Sequence, residues 1–328
     1  MRDRPAGVSD RDLRSALRDD WRLDVAAAEY TPVGGGSYHW IVRDREGPRW
    51  FATVDDLDQK RWLGGTPDAV AEGLATAMEM AVALRHEARL PFVLAPIRAR
   101  NGAAVVRLSY AYAVAVFPYL HGATGRFGQK LPADERNQVV DMLAALHRAA
   151  PIGSRVPLHR VALAHRNDLE TALSDVGQPW AGGPFSEPAR ALLDAHARQV
   201  GRLLARFDRL AERVAAREPV ITHGEPHPAN LLRAGNETLL IDWDTVGLAP
   251  PERDLWWVIT DTDSEEALRY ARATGRPVDS AALALYRLRW ALDDLSIFVH
   301  RLRSEHDRTA DAEHALRAIE ITLTGAAA

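Results

Sequence analysis

The densest chemistry in the chain lies between residues 220 and 244. An apolar lead, Val220-Ile221, runs into His223-Gly224-Glu225-Pro226-His227-Pro228-Ala229-Asn230, and Asp242 closes the apolar stretch Leu239-Leu240-Ile241 twelve residues after Asn230. Two prolines forbid a regular helix here, so the segment reads as an ordered loop. A polar loop held between apolar strands is a common place for function. Mg²⁺ takes oxygen ligands, usually a few from protein and the rest from phosphate and water. An Asn and an Asp brought together by a hairpin supply such ligands, which makes Asn230 and Asp242 the candidate metal pair. Glu225, five residues before Asn230, can orient an attacking hydroxyl and take its proton. Asp244 follows Asp242 at i+2, on the same side if the strand continues. The combined spacing points to phosphoryl transfer from a nucleoside triphosphate with Mg²⁺; each piece alone reads more readily as a structural turn with a solvent-facing acid.

The elements that must position this loop change character along the 328 residues, a length that favours two lobes over one core. Residues 10–18 have helical spacing. Strand-like stretches near Tyr30, at 38–42 and at 50–54 surround Gly34-Gly35-Gly36-Ser37. Residues 67–89 carry Val70, Leu74, Met78 and Val82 at helical spacing. Two further strands are expected at 93–98 and 103–108, and an apolar run at 113–117 ends at Pro118. Beyond it the pattern turns helical: residues 133–150, then a long amphipathic helix over 187–217 with Leu193, Val200, Leu203, Phe207, Leu210 and Val214 on one stripe. A small hairpin is expected around Gly235-Asn236, and the last hundred residues return to helices. This is an α+β pattern, with a small antiparallel-sheet lobe over 1–117 and a larger helical lobe over 118–328.

Composition narrows the partners. The net charge of −4 argues against a nucleic-acid binder. The absence of cysteine excludes disulfides, thiolate catalysis and cysteine metal sites. No apolar run approaches the roughly 18 residues of a spanning helix, and the charged first residues do not read as a signal peptide. A cytoplasmic enzyme acting on a small molecule, with no membrane partner, is the expectation. Lys60 and Lys130 are the only lysines, so any role that needs a lysine has two candidates.

At residues 220–255 the sequence resembles the aminoglycoside phosphotransferase family, whose usual form is His-Gly-Asp-x-His-x-x-Asn followed by Ile-Asp-Trp or Ile-Asp-Phe. The matching residues are His223, Gly224, Glu225, His227, Asn230, Ile241, Asp242 and Trp243, and the run Leu248-Ala249-Pro250-Pro251-Glu252-Arg253-Asp254-Leu255 continues the match. It is most similar to the spectinomycin phosphotransferase type. The resemblance implies a two-lobed protein-kinase-like fold, with Glu225 as catalytic base, Asn230 and Asp242 as Mg²⁺ ligands, and Asp254 as a support of the catalytic loop. His223 and His227 are expected to hold the loop's shape. For Asp254, a surface acid paired with Arg253 is the alternative.

Two departures stand out. Glu225 replaces the family's Asp with one more methylene. The strand lysine that clamps nucleotide phosphates in the family is missing, because Thr53 stands near that position. Lys60, a few residues on, is expected either to reach back to the phosphates or to be a solvated loop lysine; Glu72 or Glu79 on the following helix would be its acidic partner. Gly35, Gly36 and Ser37 would cover the phosphates, and Val116, Phe117 and Tyr119 would form the adenine hinge. For a cationic, hydroxylated acceptor, the candidate acids are Asp244, Asp293 and Asp294, with Arg287 or Arg289 as alternative partners of the last two. Trp256, Trp257, Tyr286 and Trp290 could wall a sugar or cyclitol ring. A choline-, homoserine- or sugar-type metabolic kinase, and a nucleotide-binding protein without turnover, stay open beside the aminoglycoside or aminocyclitol reading.

Overall fold

The computed structural model describes residues 3–34, 36–150 and 156–325. In chain order the elements are α1 (Asp10–Trp21), β1 (Val25–Tyr30), β2 (Tyr38–Asp44), β3 (Arg49–Asp56), α2 (Pro67–His86), β4 (Val106–Arg107), β5 (Tyr112–Pro118), β6 (Ala123–Thr124), α3 (Ala133–Arg148), α4 (Arg166–Ser174), α5 (Ser186–Val214), β7 (Val220–Thr222), β8 (Leu231–Ala234), β9 (Glu237–Leu240), β10 (Gly247–Ala249), α6 (Glu252–Leu255), α7 (Glu265–Thr274), α8 (Ser280–Arg303) and α9 (Ala310–Gly325). They divide into two compact units, one from residues 1–159 and 218–278, the other from 160–217 and 279–328. The junction at 117/118 lies inside β5, within the first unit.

The first unit begins with an antiparallel sheet in the order β1-β2-β3-β5-β4. Strand alternation decides its two faces. Tyr38, Trp40 and Val42 of β2, with Ala52 and Val54 of β3, pack against Leu13, Leu17 and Trp21 of α1. α1 starts at a capping box between Ser9 and Asp12, which satisfies otherwise orphaned amide groups. The opposite strand positions hold His39, Thr53, Asp55 and Phe117, in register as His39↔Thr53 and Phe51↔Phe117. α2 is set by Thr66 as N-cap and Pro67 in its first turn, and it buries Leu74, Met78 and Ala81.

The two strands expected at 93–98 and 103–108 do not form as such. Val93 makes only a bridge to Leu240, residues 94–98 are irregular, and β4 keeps just two residues. Pro91 and Pro96 remove ladder donors on either side of Val93. The segment still follows β5, with the Ile97 N–H donating to the Val116 carbonyl at 2.8 Å.

The rest of this unit frames the loop. β7 pairs with β10, and β8 with β9 in the expected hairpin, whose Gly235 takes the left-handed conformation at φ 59°. β7 delivers the chain into residues 223–230, and β9 delivers it to Asp242. α3 buries Val139, Val140, Leu143 and Leu146, and it packs on α7.

The second unit is helical. α5 buries Ala189, Leu193, Val200, Leu204, Phe207 and Val214 on one stripe, and α8, α9 and α4 complete the core with Leu285, Leu292, Val299 and Ile319. Burying each such side chain contributes about 1.5–3 kcal/mol. Leu204 takes the buried place expected of Leu203, which is partly buried beside it. α4, which the sequence did not suggest, starts at Arg166.

Candidate active site

The loop from His223 to Asn230 is held from beneath by one carboxylate. Asp254, fully buried at the end of α6's first turn, accepts from the His223 backbone N–H at 2.8 Å and from the Gly224 N–H at 2.6 Å. His147, at the end of α3, donates Nε2–H to the same carboxylate at 3.1 Å, and the Tyr270 hydroxyl of α7 lies 2.9 Å from its Nδ1. Burial pushes the Asp254 carboxyl up, but the hydrogen bond and charge of His147, with Arg253 and His223, outweigh it and hold the group below the ordinary carboxylate range. Asp254 is therefore not a surface acid. Arg253 donates instead to Thr222 Oγ1 at 2.8 Å and to the Thr245 carbonyl at 2.9 Å.

Two further features fix the backbone. Gly224 sits at φ 102°, and a Cβ there would lie 2.4 Å from an Arg253 nitrogen. Only glycine tolerates both the dihedral and that approach. His223 donates Nε2–H to the Ile241 carbonyl at 2.9 Å and accepts from the Glu225 N–H on Nδ1 at 3.2 Å. It thereby ties the loop to the strand end that carries Asp242. Burial pushes the His223 pKa down to about 4 and that of His227 down to about 4, so both rings are neutral at pH 7.

Asn230 lies on the single 3-10 turn Pro228–Asn230. Its Nδ2 donates to the Glu225 carbonyl at 2.9 Å, and the Ile241 N–H donates to the Asn230 carbonyl at 3.0 Å. The hairpin thus brings Asn230 to the strand end one residue before Asp242. Asp242 itself adopts φ 67°, a conformation uncommon outside glycine. The Glu225 side chain remains about one-third exposed, with Oε2 3.9 Å from His227 Nε2.

Lys60 is buried, with 1% of its side chain exposed, so it is not a solvated loop lysine. Its Nζ is hydrogen-bonded to Asp244 Oδ2 and lies 3.1 Å from Asp55 Oδ1. Ser37 donates its hydroxyl to the same Asp55 oxygen at 2.6 Å. A Cβ built on Gly36 would lie 3.8 Å from Lys60 Nζ, so the glycine loop runs beside the ammonium. Burial works against the Lys60 charge, but Asp244, Asp55 and Asp242 together outweigh it and raise its pKa above that of an ordinary lysine. Burial, then the charges of Asp244 and Asp55, push Asp242 up to about 7 despite Lys60. Three carboxylates thus surround one ammonium.

The partner of Lys60 is not on the helix. Glu79 of α2 pairs with Arg98 at 2.8 Å, and the acids on Lys60 are Asp55 and Asp244. Asp244, an expected acceptor contact, is occupied by that ion pair. Thr53 faces β5, its hydroxyl 3.5 Å from the Ala115 carbonyl. On the hinge, the Val116 carbonyl accepts from Ile97, and the Tyr119 N–H donates to the Arg49 carbonyl at 3.3 Å. Val116 and Phe117 are buried, and the Arg49 guanidinium lies over the Tyr119 ring. Gly35 lies outside the described residues.

Beside the loop is an aromatic cluster. The His227 ring meets Phe127 at 5.2 Å and Trp257 at 5.0 Å, both edge-on, and Trp256 stacks on Trp257 at 3.9 Å. Phe127 is more than half exposed. In the second unit, Arg289 pairs with Asp293 at 3.1 Å, as the alternative expectation had it. Asp294, half-buried, has no cationic partner among the described residues, and burial followed by the charge of Asp293 pushes it up to about 7.

Sequence reasoning missed Asp55, His147, Tyr270 and Phe127. Asp55 was within reach, because strand alternation puts it on the face of Thr53 at i+2. Nothing in the sequence announces the bond of His147 to Asp254. Phe127 carried no signal at all.

The profile of the phosphotransferase enzyme family (APH) matches residues 29–287. Protein StrN of Streptomyces griseus is 30% identical over 310 residues, covering 90% of this chain and 86% of its own. Among solved structures, the spectinomycin phosphotransferase APH(9)-Ia in complex with ADP and spectinomycin has a TM-score of 0.76 at 17% identity, with 98% of each chain covered. The amicoumacin kinase hAmiN in complex with AMP-PNP, Ca²⁺ and Ami has a TM-score of 0.54 at 13% identity, covering 97% of this chain and 94% of that one. The choline kinase LicA from Streptococcus pneumoniae has 0.56 at 14% identity, covering 96% and 98%. At these identities the likeness establishes the fold, the α+β, kinase-like architecture expected from the sequence. Among the described residues no helix is long and apolar enough to cross a membrane.

Proposed function

The chain belongs to the phosphotransferase enzyme family, and from that premise we propose that it moves the γ-phosphoryl group of ATP or GTP to a hydroxyl of an aminoglycoside- or aminocyclitol-like acceptor. Membership makes it a phosphotransferase acting on a hydroxyl group; the donor, the acceptor and the roles below are the proposal. One observation carries it most. Three carboxylates, Asp55, Asp242 and Asp244, crowd one buried ammonium, Lys60, beside Gly36 and Ser37. Such a negative excess suits a divalent cation bridging to phosphate.

Asn230 and Asp242 would hold Mg²⁺. The Asn230 amide nitrogen is engaged by the Glu225 carbonyl, which leaves Oδ1 as the ligand atom. Bound there, Mg²⁺ would neutralise charge on the β- and γ-phosphates. Lys60, held by Asp55 and Asp244, neutralises phosphate charge. Gly36 and Ser37 cover the phosphates with backbone donors. Residues 116, 117 and 119 lie against the base, and the 117/118 junction separates the nucleotide-binding lobe from the catalytic one. Glu225 orients the acceptor O–H and takes its proton as the oxygen attacks the γ-phosphorus, while the bond from that phosphorus to the β-bridging oxygen breaks. His223, His227 and Asp254 keep the Glu225 backbone in place. Phe127, Trp256 and Trp257 offer flat faces to the acceptor ring.

The test is mass-spectrometric detection of a phosphorylated product, with ATP and Mg²⁺, across aminocyclitol, aminoglycoside, choline, homoserine and sugar acceptors. A product gaining one phosphate with an aminocyclitol or aminoglycoside is expected. It should vanish with Asp242→Ala and fall about 10²-fold or more with Glu225→Gln. Product unchanged in Asp242→Ala would refute the metal assignment. Phosphorylation of choline in place of the others would favour the second reading, since aromatic faces such as those of Phe127 and Trp257 also hold quaternary ammonium groups. Nucleotide-dependent stabilisation with no product from any acceptor would favour a binding protein without turnover.

A further inference from the structure

We propose that His165, Asp168 and His300 form a binding site for a divalent cation of the zinc class, distinct from the Mg²⁺ chemistry above. All three lie in the helical unit. His165 immediately precedes α4, Asp168 sits in the first turn of α4 at i+3, and His300 projects from α8. Both imidazoles aim Nδ1 at one carboxylate oxygen: His165 is 2.9 Å and His300 is 3.0 Å from Asp168 Oδ2. The rings stack, centroids 4.2 Å apart and 18° from parallel. The three ligand atoms lie within 4.8 Å of one another.

Those distances are close to what an ion needs. Zinc holds nitrogen and carboxylate ligands at about 2.0–2.2 Å, so tetrahedral ligand atoms sit roughly 3.3 Å apart. The two nitrogen–oxygen separations already meet that spacing. Only the two nitrogens must converge, and the His300 ring is the more exposed of the two. Side-chain exposures of 13% for His165, 46% for Asp168 and 35% for His300 leave a path for an ion and for the water that completes its shell. Two imidazoles and one carboxylate select Zn²⁺, Co²⁺, Ni²⁺ or Cu²⁺ over Mg²⁺, which prefers an all-oxygen shell. Arg303 donates to Asp175 at 2.7 Å and to the Asp168 backbone carbonyl at 3.3 Å. An ion here would tie the first turn of α4 to the C-terminal half of α8, replacing two hydrogen bonds by three coordinate bonds.

The experiment uses the full-length chain without a histidine tag, stripped with chelator. Calorimetric titration with Zn²⁺ should show about one equivalent bound, and Co²⁺ should give visible absorption bands of a low-coordinate nitrogen–oxygen site. Both signals should persist in millimolar Mg²⁺, and the melting temperature should rise with Zn²⁺. His300→Ala and His165→Ala should each weaken binding at least tenfold. His300, partly exposed on a helix surface, is the variant expected to keep the apo fold, as circular dichroism would verify. No binding by the wild-type chain, displacement by Mg²⁺, or equal binding by both variants would overturn the proposal. Phosphoryl transfer is read separately and can survive or fail on its own.

Discussion

Lys60 is where charge and burial meet most sharply. Its ammonium faces Asp55 and Asp244, and Asp242 is near enough to share its field. Removing one member of a buried ion pair leaves an uncompensated charge and typically costs about 3–5 kcal/mol. Lys60→Met should therefore lower unfolding free energy by about that amount in urea titrations, and it should raise the KM for ATP. A merely structural lysine would give the first effect and only an indirect second. The double variant Lys60→Met/Asp55→Asn separates them, because it removes one stranded carboxylate and should recover part of the stability. ATP affinity should stay at least about tenfold weaker in the double variant if Lys60 contacts phosphate. Recovery of both together would reduce Lys60 to a structural ion. The residue itself was legible because the chain has only two lysines and one of them follows β3. Its burial was not, because that depends on Asp244, 184 positions away, and on Asp55, whose face is set by strand register.

At the scale of elements, what could be read was whatever repeats locally. The loop at 223–230 announced itself through two prolines and its polar spacing, and α5 through its apolar stripe. The strands expected at 93–98 and 103–108 failed because apolar composition says nothing about ladder partners, and Pro91 and Pro96 withhold donors. α8 shows a further limit. Asp293 and Asp294 are adjacent in sequence and look equivalent, yet one meets Arg289 and the other is half-buried without a cation among the described residues. Asp294 binds its proton up to about pH 7, whereas an unfolded-chain aspartate has released it by about pH 4. The raised pKa means the folded state holds a proton that the unfolded state lacks between these values. Its contribution to stability is thus full below about pH 4 and is lost as pH rises through 7. Asp294→Asn should remove this slope, gaining on the order of 3 kcal/mol relative to wild type at pH 8 and little at pH 4. Urea unfolding of both proteins across that range measures it. Parallel pH profiles would show that Asp294 ionises freely in the fold.

For the whole molecule, the division into two compact units decides how a ligand should be felt. The proposed nucleotide and metal contacts within the described residues, Gly36, Ser37, Lys60, 116–119, Glu225, Asn230 and Asp242, all belong to the first unit. A chain of two units need not unfold in one step, so a single melting temperature is a poor reporter. Hydrogen exchange resolves the units segment by segment. A ligand at one hundred times its Kd stabilises what it binds by about 2.7 kcal/mol, roughly a hundredfold slower exchange for amides that open with the site. Mg²⁺ with a non-hydrolysable ATP analogue should therefore protect β2, β3, the segment through Lys60, and residues 220–246. α5 and α9, which contribute none of these contacts, should change far less. Asp242→Ala should abolish the protection if, as proposed, that carboxylate holds the metal. Equal protection of both units would mean that nucleotide binding is read by the entire chain. Protection confined to α5 and α9 would place the nucleotide away from the loop that carries Glu225.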